Sequence, residues 1–207
     1  SSRSRSEPGA DDQGQPVTRL TARAGTALVI EYMFHLFDFP GGRALAQQAL
    51  AITPALAALR QRFDDAGAPV IHANDHFCQW QGALHELVEQ CRRQGGTSWR
   101  IARQLLPCPH HHQILKPRHS ALRDTALEAL LRQRHINAVV IAGVAGDSCV
   151  LATAQDANML GHRVWVPSDT MATRTALLKH STLALLRHSL KVCVRSSVSC
   201  TSLFPRD

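Results

Sequence analysis

Short apolar runs alternate along this chain with longer amphipathic segments, which is the pattern of repeated β-α units. Five apolar runs are predicted strands, at residues 26–32, 68–74, 113–116, 138–144 and 162–168, and residues 191–194 could form a sixth at an edge. Segments with helical spacing lie at 41–67, 84–93, 124–136, 148–161 and 175–190. Because parallel strands need crossover connections, the pattern predicts a three-layer α/β/α sandwich. Its sheet should be Rossmann-like and mostly parallel, with five or six strands.

The two ends of the chain lack this alternation. Residues 1–25 are rich in Ser, Arg, Gly and Asp without an apolar period, so they are predicted to form a disordered N-terminal arm. Residues 195–207 carry few core-forming side chains and are predicted to be an irregular tail. One domain at 26–194 lies between them, and within it Pro54 could interrupt the first helix.

Composition narrows the class of protein. At 207 residues with 44% hydrophobic and 19% charged residues, the chain fits one globular domain. The net charge of +7 favours anions, but 5% aromatic content offers no stacking platform for nucleic acid. No apolar run approaches the roughly 18 residues of a membrane span. Six scattered cysteines without a C-x-x-C pair, and no secretory signal, predict a reducing, cytoplasmic location.

Candidate chemistry is concentrated where predicted strands end, because open parallel sheets bind ligands beyond the carboxyl ends of their strands. In "GVAGDSCV" (143–150), Cys149 lies near the start of a helix that follows a central strand. Unpaired amides and the helix dipole there suit a thiolate nucleophile and could hold an oxyanion. A small buried residue at a tight turn is the alternative. Lys116 ends the third strand and could stabilise a thiolate, although its position taken alone favours a surface lysine.

At these residues the chain resembles a known family. "ILKPRHSAL" (114–122) with Thr125, the stretch 136–172 and His180 resemble the isochorismatase-like cysteine hydrolases. The resemblance extends over residues 26–192, and "DFPGG" (38–42) is similar to a bacterial subgroup of these hydrolases. It implies hydrolysis of a C–N bond in a small amide or carbamoyl compound through a cysteine thioester. It implies no cofactor and a homo-oligomeric assembly.

The same resemblance assigns roles to particular residues. Members of the family use a Cys, a Lys and an Asp, and the first two positions match Cys149 and Lys116. A cis peptide falls between Val144 and Ala145, and the amides of Ala145 and Cys149 would form the oxyanion hole. His119 lies in a matching stretch and is expected to be structural or to line the cleft.

The third position, the family's Asp, has no direct match. An ungapped count back from "DFPGG" places it on Tyr32, and a shift of one residue places it on Glu31. Successive strand residues face opposite ways, so if Tyr32 faces the cleft, Glu31 could act only where a bulge redirects it. We favour Tyr32 at this position. A phenol is a poor base at neutral pH, so a catalytically impaired homologue that binds a small molecule or a protein is the alternative function.

Further expectations concern the pocket, a metal and the nucleophile turn. Phe34, Phe77 and Trp80 follow strand ends and, with His119, could bind substrate. The resemblance includes nicotinamidases, which bind zinc through an Asp-x-His pair, but here Phe77 replaces that His, so no metal is expected. The histidines of "CPHHHQ" (108–113) are interpreted as a solvated loop. Gly146 stands where the family more often has Thr, which could loosen the turn.

Overall fold

In the part of the chain that the structure describes, the sheet has five parallel strands, within the five or six that the apolar pattern predicted. The structure is a computed structural model, and it describes residues 25–75 and 83–206. The strands are β1 (Thr26–Glu31), β2 (Val70–Asp75), β3 (His112–Lys116), β4 (Ala138–Gly143) and β5 (Arg163–Trp165), arranged in the order β3-β2-β1-β4-β5. Every strand pair is parallel. The predicted α/β class with a Rossmann-like sheet is therefore confirmed.

Helices cover both faces of this sheet. They are α1 (Gly42–Asp65), α2 (Leu84–Gln94), α3 (Gly96–Ala102), α4 (Leu127–Gln133), α5 (Leu151–Met159) and α6 (Ala176–His188). One buried cluster packs α1 and α3 on one face of the sheet, and a second packs α4, α5 and α6 on the other. Sequence analysis missed α3, because its seven residues begin at the second glycine of a Gly-Gly pair and show too little helical periodicity.

The two central strands, β1 and β4, lie side by side and end at the same point of the sheet. β1 and β4 are buried along their whole length, which explains their continuous apolar sequences. The strand order reverses between them, and Glu31, the last residue of β1, pairs in register with Gly143, the last residue of β4. Such a switch point is where an open α/β sheet forms a ligand crevice.

Two local expectations are corrected. Pro54 does not interrupt α1, which continues as one helix through it. The ring removes one backbone hydrogen bond, but Ile52 and Leu56 of the same helix are buried in the core. The Thr53 hydroxyl also donates to the Ala49 carbonyl at 2.7 Å. The candidate sixth strand is reduced to a single bridge between Trp165 and Cys193.

The C-terminal tail is irregular, apart from one 3₁₀ turn at Ser197–Ser199, but it packs against the domain. The backbone N–H and the hydroxyl of Ser197 both donate to the carboxylate of Asp169 at 2.7 Å. The Phe204 ring contacts the Trp165 ring, with centroids 6.2 Å apart. The predicted arm lies almost entirely outside the described residues, so the domain boundaries stay predictions. In the described part of the chain, no helix is both long and apolar enough to cross a bilayer.

Candidate active site

A thiol, an amine and a carboxylate meet at the switch point of the sheet. The side chains of Lys116 and Glu31 are fully buried, and Cys149 is 7% exposed. Nζ of Lys116 lies 3.2 Å from Sγ of Cys149 and 3.6 Å from Oε2 of Glu31. The ends of β1 and β3 and the turn after β4 supply these three groups, so residues distant in sequence form one cluster.

The turn after β4 brings Cys149 to the sheet edge. A cis peptide joins Val144 and Ala145, at the position that the family resemblance implies. The chain then forms a short π-helical segment, Gly146–Val150, which continues into α5. At Gly143, φ is 111°, and a Cβ atom would lie only 2.2 Å from the carbonyl oxygen of Glu31. Glycine is required there, because β4 approaches the end of β1 too closely for any side chain.

Buried side chains pack closely around Gly146, contrary to the expectation that this glycine would loosen the turn. A Cβ atom at this position would lie 2.7 Å from Cε of Met171 and 2.9 Å from Cγ2 of Thr173. Both of these side chains are buried. They occupy the space that a side chain at position 146 would need, so the turn is closely packed without one.

Lys116 is oriented by the loop that follows it. Its amine donates to the backbone carbonyls of Arg118 at 3.2 Å and His119 at 3.0 Å, besides the contact with Cys149. These acceptors help to satisfy a buried ammonium group and aim it at the thiol. The alternative interpretation of Lys116 as a surface residue is therefore wrong.

The carboxylate beside Lys116 belongs to Glu31, although the ungapped count favoured Tyr32. β1 pairs regularly with both neighbours up to Glu31, so no bulge is involved. Alternation places Glu31 on the same face as Ala27 and Val29, where α5 packs. The ungapped count fails because the chain turns after the strand: Tyr32 and Phe37 have left-handed φ values of 53° and 58°. Tyr32 still lines the cleft, with its ring centroid 5.7 Å from Nζ of Lys116.

Burial sets the protonation of the cluster. Desolvation raises the pKa of Glu31 to about 7, and the positive charge of Lys116 only partly opposes this. Burial likewise raises the pKa of the Cys149 thiol, with Lys116 acting in the opposite direction and Glu31 adding to the rise. Burial also raises the pKa of the Tyr32 phenol. The expectation that the helix end would lower the Cys149 pKa is not met, because desolvation outweighs it.

A cleft of about 330 Å³ opens onto Cys149. The Nδ1 atom of His119 lies 3.0 Å from the Ser148 hydroxyl and 3.8 Å from the Cys149 sulfur, so His119 lies beside the thiol. Sequence reasoning missed several of the other lining residues, because they come from loops without a periodic pattern. These residues are Phe39, Pro40 and Arg174.

The other residues that were expected to bind substrate have different outcomes. Phe34 was expected to bind substrate, but it is fully buried in the core, where its ring contacts His72 with centroids 5.4 Å apart. The backbone turns at Tyr32, where φ is 53°, and Phe34 then packs with Met33 in the buried cluster that contains α1 and α3. Phe77 and Trp80 lie outside the described residues. Asp75 lines the cleft at the end of β2.

The fold and the site together define a parallel α/β protein with a buried thiol, amine and carboxylate at the carboxyl edge of its sheet. A family model for the isochorismatase domain matches residues 26–197. The chain belongs to the isochorismatase family. It is 32% identical to the family protein YaaI of Bacillus subtilis over 154 residues, which is 74% of this chain and 84% of YaaI.

Other relatives have named activities. Streptothricin hydrolase of Streptomyces noursei is 31% identical over 136 residues, covering 65% of this chain and 46% of that hydrolase. The crystal structure of the nicotinamidase SaPncA from Staphylococcus aureus superposes with a TM-score of 0.65 at 26% identity, covering 84% of this chain and 99% of the nicotinamidase. A crystal structure of a family member without a named activity, from Desulfovibrio vulgaris, superposes with a TM-score of 0.69 at 25% identity. The match covers 85% of this chain and 96% of that protein.

Proposed function

We propose that this protein hydrolyses the C–N bond of a small amide or carbamoyl compound through a thioester on Cys149. The observation that carries the proposal is the position of the Lys116 amine, 3.2 Å from the thiol sulfur and 3.6 Å from the Glu31 carboxylate. A nucleophile, a proton acceptor and a fixed cation in one cleft are the parts that nucleophilic acyl transfer needs. The similarity to streptothricin hydrolase and to a nicotinamidase supports the same class of reaction.

The first step transfers the thiol proton to Glu31. A pKa of about 7 makes this carboxylate a stronger base than an ordinary glutamate, while much of it is still ionised at neutral pH. Lys116 stabilises the thiolate that remains, because its ammonium group contacts the sulfur directly. Lys116 and Glu31, at 3.6 Å, form an ion pair rather than a hydrogen bond. The carboxylate therefore keeps lone pairs that can accept the thiol proton.

In the second step the thiolate attacks the substrate carbonyl. The backbone N–H groups of Ala145 and Cys149 are our candidates for the oxyanion hole, since both residues line the cleft. Protonated Glu31 then gives its proton to the departing nitrogen, and ammonia or an amine leaves. Water hydrolyses the thioester, with Glu31 accepting a proton again, and the free thiol is restored.

The impaired homologue is the less favoured alternative. The hypothesis of impaired catalysis assumes that the phenol of Tyr32 replaces the family carboxylate. The group next to Lys116 is instead the carboxylate of Glu31. Glutamate is one methylene longer than aspartate, and this difference favours a change in rate or substrate preference over loss of the reaction.

The proposal is tested by assaying ammonia release from a panel that includes nicotinamide and N-carbamoylated amines. Wild-type protein should turn over at least one class, and mass spectrometry of quenched reactions should find an acyl group on Cys149. Cys149→Ala should remove both signals, whereas Cys193→Ser, at a second described free cysteine, should keep them. Turnover that survives Cys149→Ala, or no turnover of any amide or carbamoyl compound by wild type, would contradict the proposal.

Location and assembly stay predictions. The five cysteines in the described part of the chain are free thiols, which supports our proposal of a reducing, cytoplasmic location. We also propose a homo-oligomer, on family resemblance alone. Sedimentation analysis would test this assembly.

A further inference from the structure

A second cluster of polar side chains lies at the amino ends of the strands, whereas the active site lies at their carboxyl ends. Asp64 lies in the last turn of α1, and Cys108, His110 and His111 lie in the loop that leads into β3. Cys149 lies near the carboxyl end of β3, whereas this cluster lies at its amino end. One ligand atom from each of the four residues lies within 4.8 Å of every other. The expectation of a wholly solvated histidine loop is therefore wrong.

The two imidazoles converge on one carboxylate oxygen. Nε2 of His111 lies 2.7 Å from Oδ1 of Asp64, and Nε2 of His110 lies 3.3 Å from the same atom. The His111 side chain is fully buried, while that of His110 is 62% exposed. The cluster thus has a rigid inner part and a solvent-facing ligand that can move to close around an ion.

We propose that Asp64, Cys108, His110 and His111 bind a divalent transition-metal ion, with Zn²⁺ as the best match. One thiolate, two imidazoles and one carboxylate are the ligand types that zinc takes in four-coordinate sites. Zinc bonds of 2.0–2.3 Å place tetrahedral ligands about 3.3–3.8 Å apart. The present separations, up to 4.8 Å, need a contraction of about 1 Å, which the exposed His110 can supply.

The hydrogen bonds of His111 set a condition on metal binding. Its Nδ1 accepts from the Cys108 backbone N–H at 3.1 Å, so the ring proton lies on Nε2 and is directed at Asp64. Metal binding at Nε2 requires this proton to move to Nδ1, which lies 3.1 Å from Nε2 of the buried His72 and could donate to it. Arg60 lies 3.6 Å from Oδ2 of Asp64, so it holds the outer oxygen and leaves Oδ1 directed at the histidines. Its guanidinium also lies 3.8 Å from the Cys108 sulfur, so Arg60 contacts two of the four proposed ligands.

The position of the site indicates a structural role. Four protein ligands close a tetrahedral site and leave no position for substrate. The ion would join the end of α1 to the loop before β3, which is an edge strand of the sheet. It would therefore stabilise the fold at the edge strand that carries Lys116, without taking part in the reaction.

Cobalt and zinc titrations test the proposal. The full chain is used with Cys149→Ala, so that the active-site thiol cannot bind the ion. Co²⁺ should produce one equivalent of tetrahedral ligand-field absorption and a sulfur-to-cobalt charge-transfer band, and Zn²⁺ should displace it. Cys108→Ser should remove the sulfur band. His110→Gln should weaken Zn²⁺ binding by more than the roughly 10- to 100-fold cost of losing an outer-shell partner.

His188→Gln, at an exposed helix end, is the matched histidine control and should bind as the parent does. Because His110 is exposed, His110→Gln is expected to fold, and thermal unfolding verifies this. Zn²⁺ should raise the unfolding temperature of the parent but not of His110→Gln. Absence of the sulfur band, or unchanged affinity in both Cys108→Ser and His110→Gln, would overturn the proposal and indicate that any bound ion lies elsewhere on the chain.

Discussion

The Nζ atom of Lys116 lies 3.2 Å from the Sγ atom of Cys149, and neither side chain has appreciable contact with solvent. An ammonium group in that position favours a negative charge on sulfur, whereas the burial of the thiol opposes it. The balance leaves Cys149 as a thiol at rest, because its pKa is raised. The attack that we propose for Cys149 therefore needs a proton acceptor, and the nearest described carboxylate to Lys116 is that of Glu31.

Replacing Glu31 tests the identity of this acceptor. Glu31→Gln keeps the shape but removes the base, so kcat/KM should fall by about 10²–10⁴-fold, the range that general-base catalysis supplies. Tyr32→Phe is the matched control at the neighbouring position. It should keep activity within an order of magnitude of wild type, because it removes only the phenol hydroxyl. Steady-state ammonia release measures both.

The reverse pattern would reassign the base. If Tyr32→Phe abolished turnover while Glu31→Gln did not, the phenol would be the essential group. Tyr32→Asp adds a carboxylate at the position that the ungapped count favours. With Glu31 as base, this variant should gain no activity.

The pH dependence follows from the raised pKa of Glu31. The base works only when ionised, and its ionised fraction rises as pH increases through about 7. The kcat/KM value should therefore fall about tenfold per pH unit on the acid side of that point. An ordinary glutamate, with a pKa near 4.3, would keep full activity down to about pH 5. A pH–rate profile of the free enzyme distinguishes the two.

Replacing Lys116 should alter both rate and pH profile. Lys116→Met removes the charge that stabilises the thiolate, so kcat/KM should drop by about 10²–10³-fold, as for loss of one electrostatic stabiliser. The Lys116 charge also lowers the Glu31 pKa, so the acid limb of the residual activity should move to higher pH. Lys191→Met, at an exposed lysine, should change neither. An unmoved acid limb would argue against the coupling.

Gly146 offers a test of packing beneath the nucleophile turn. Gly146→Ala places a methyl group where Met171 and Thr173 already lie, so unfolding free energy should fall by about 1–3 kcal/mol, the usual cost of overpacking. Met171→Ala should relieve part of this cost in the double variant, giving a favourable coupling in a urea-denaturation cycle. Strictly additive effects would show that the contact with Met171 is not the cause.

Much of the fold follows from local pattern. The buried strands β1 and β4 read as continuous apolar runs because both faces are covered, and "GVAGDSCV" reads as a strand-turn-helix unit because small residues crowd the turn. Sequence positions also placed Cys149 and Lys116 at strand exits, where parallel sheets gather their ligands. The helix α3 and the loop residues that line the cleft carry no such period, so they could not be predicted in this way.

By itself, the sequence determined the class of fold and the strand ends at which candidate chemical groups lie. It also identified Cys149 and Lys116 of the buried cluster. These features depend on periodicity and local turns. Tertiary structure decided between Glu31 and Tyr32, because only strand pairing on both sides of β1 shows which side chain meets Lys116. It also brought Asp64 to the histidine loop across 46 residues of chain. Long-range contacts of this kind depend on how elements pack, which no local pattern encodes.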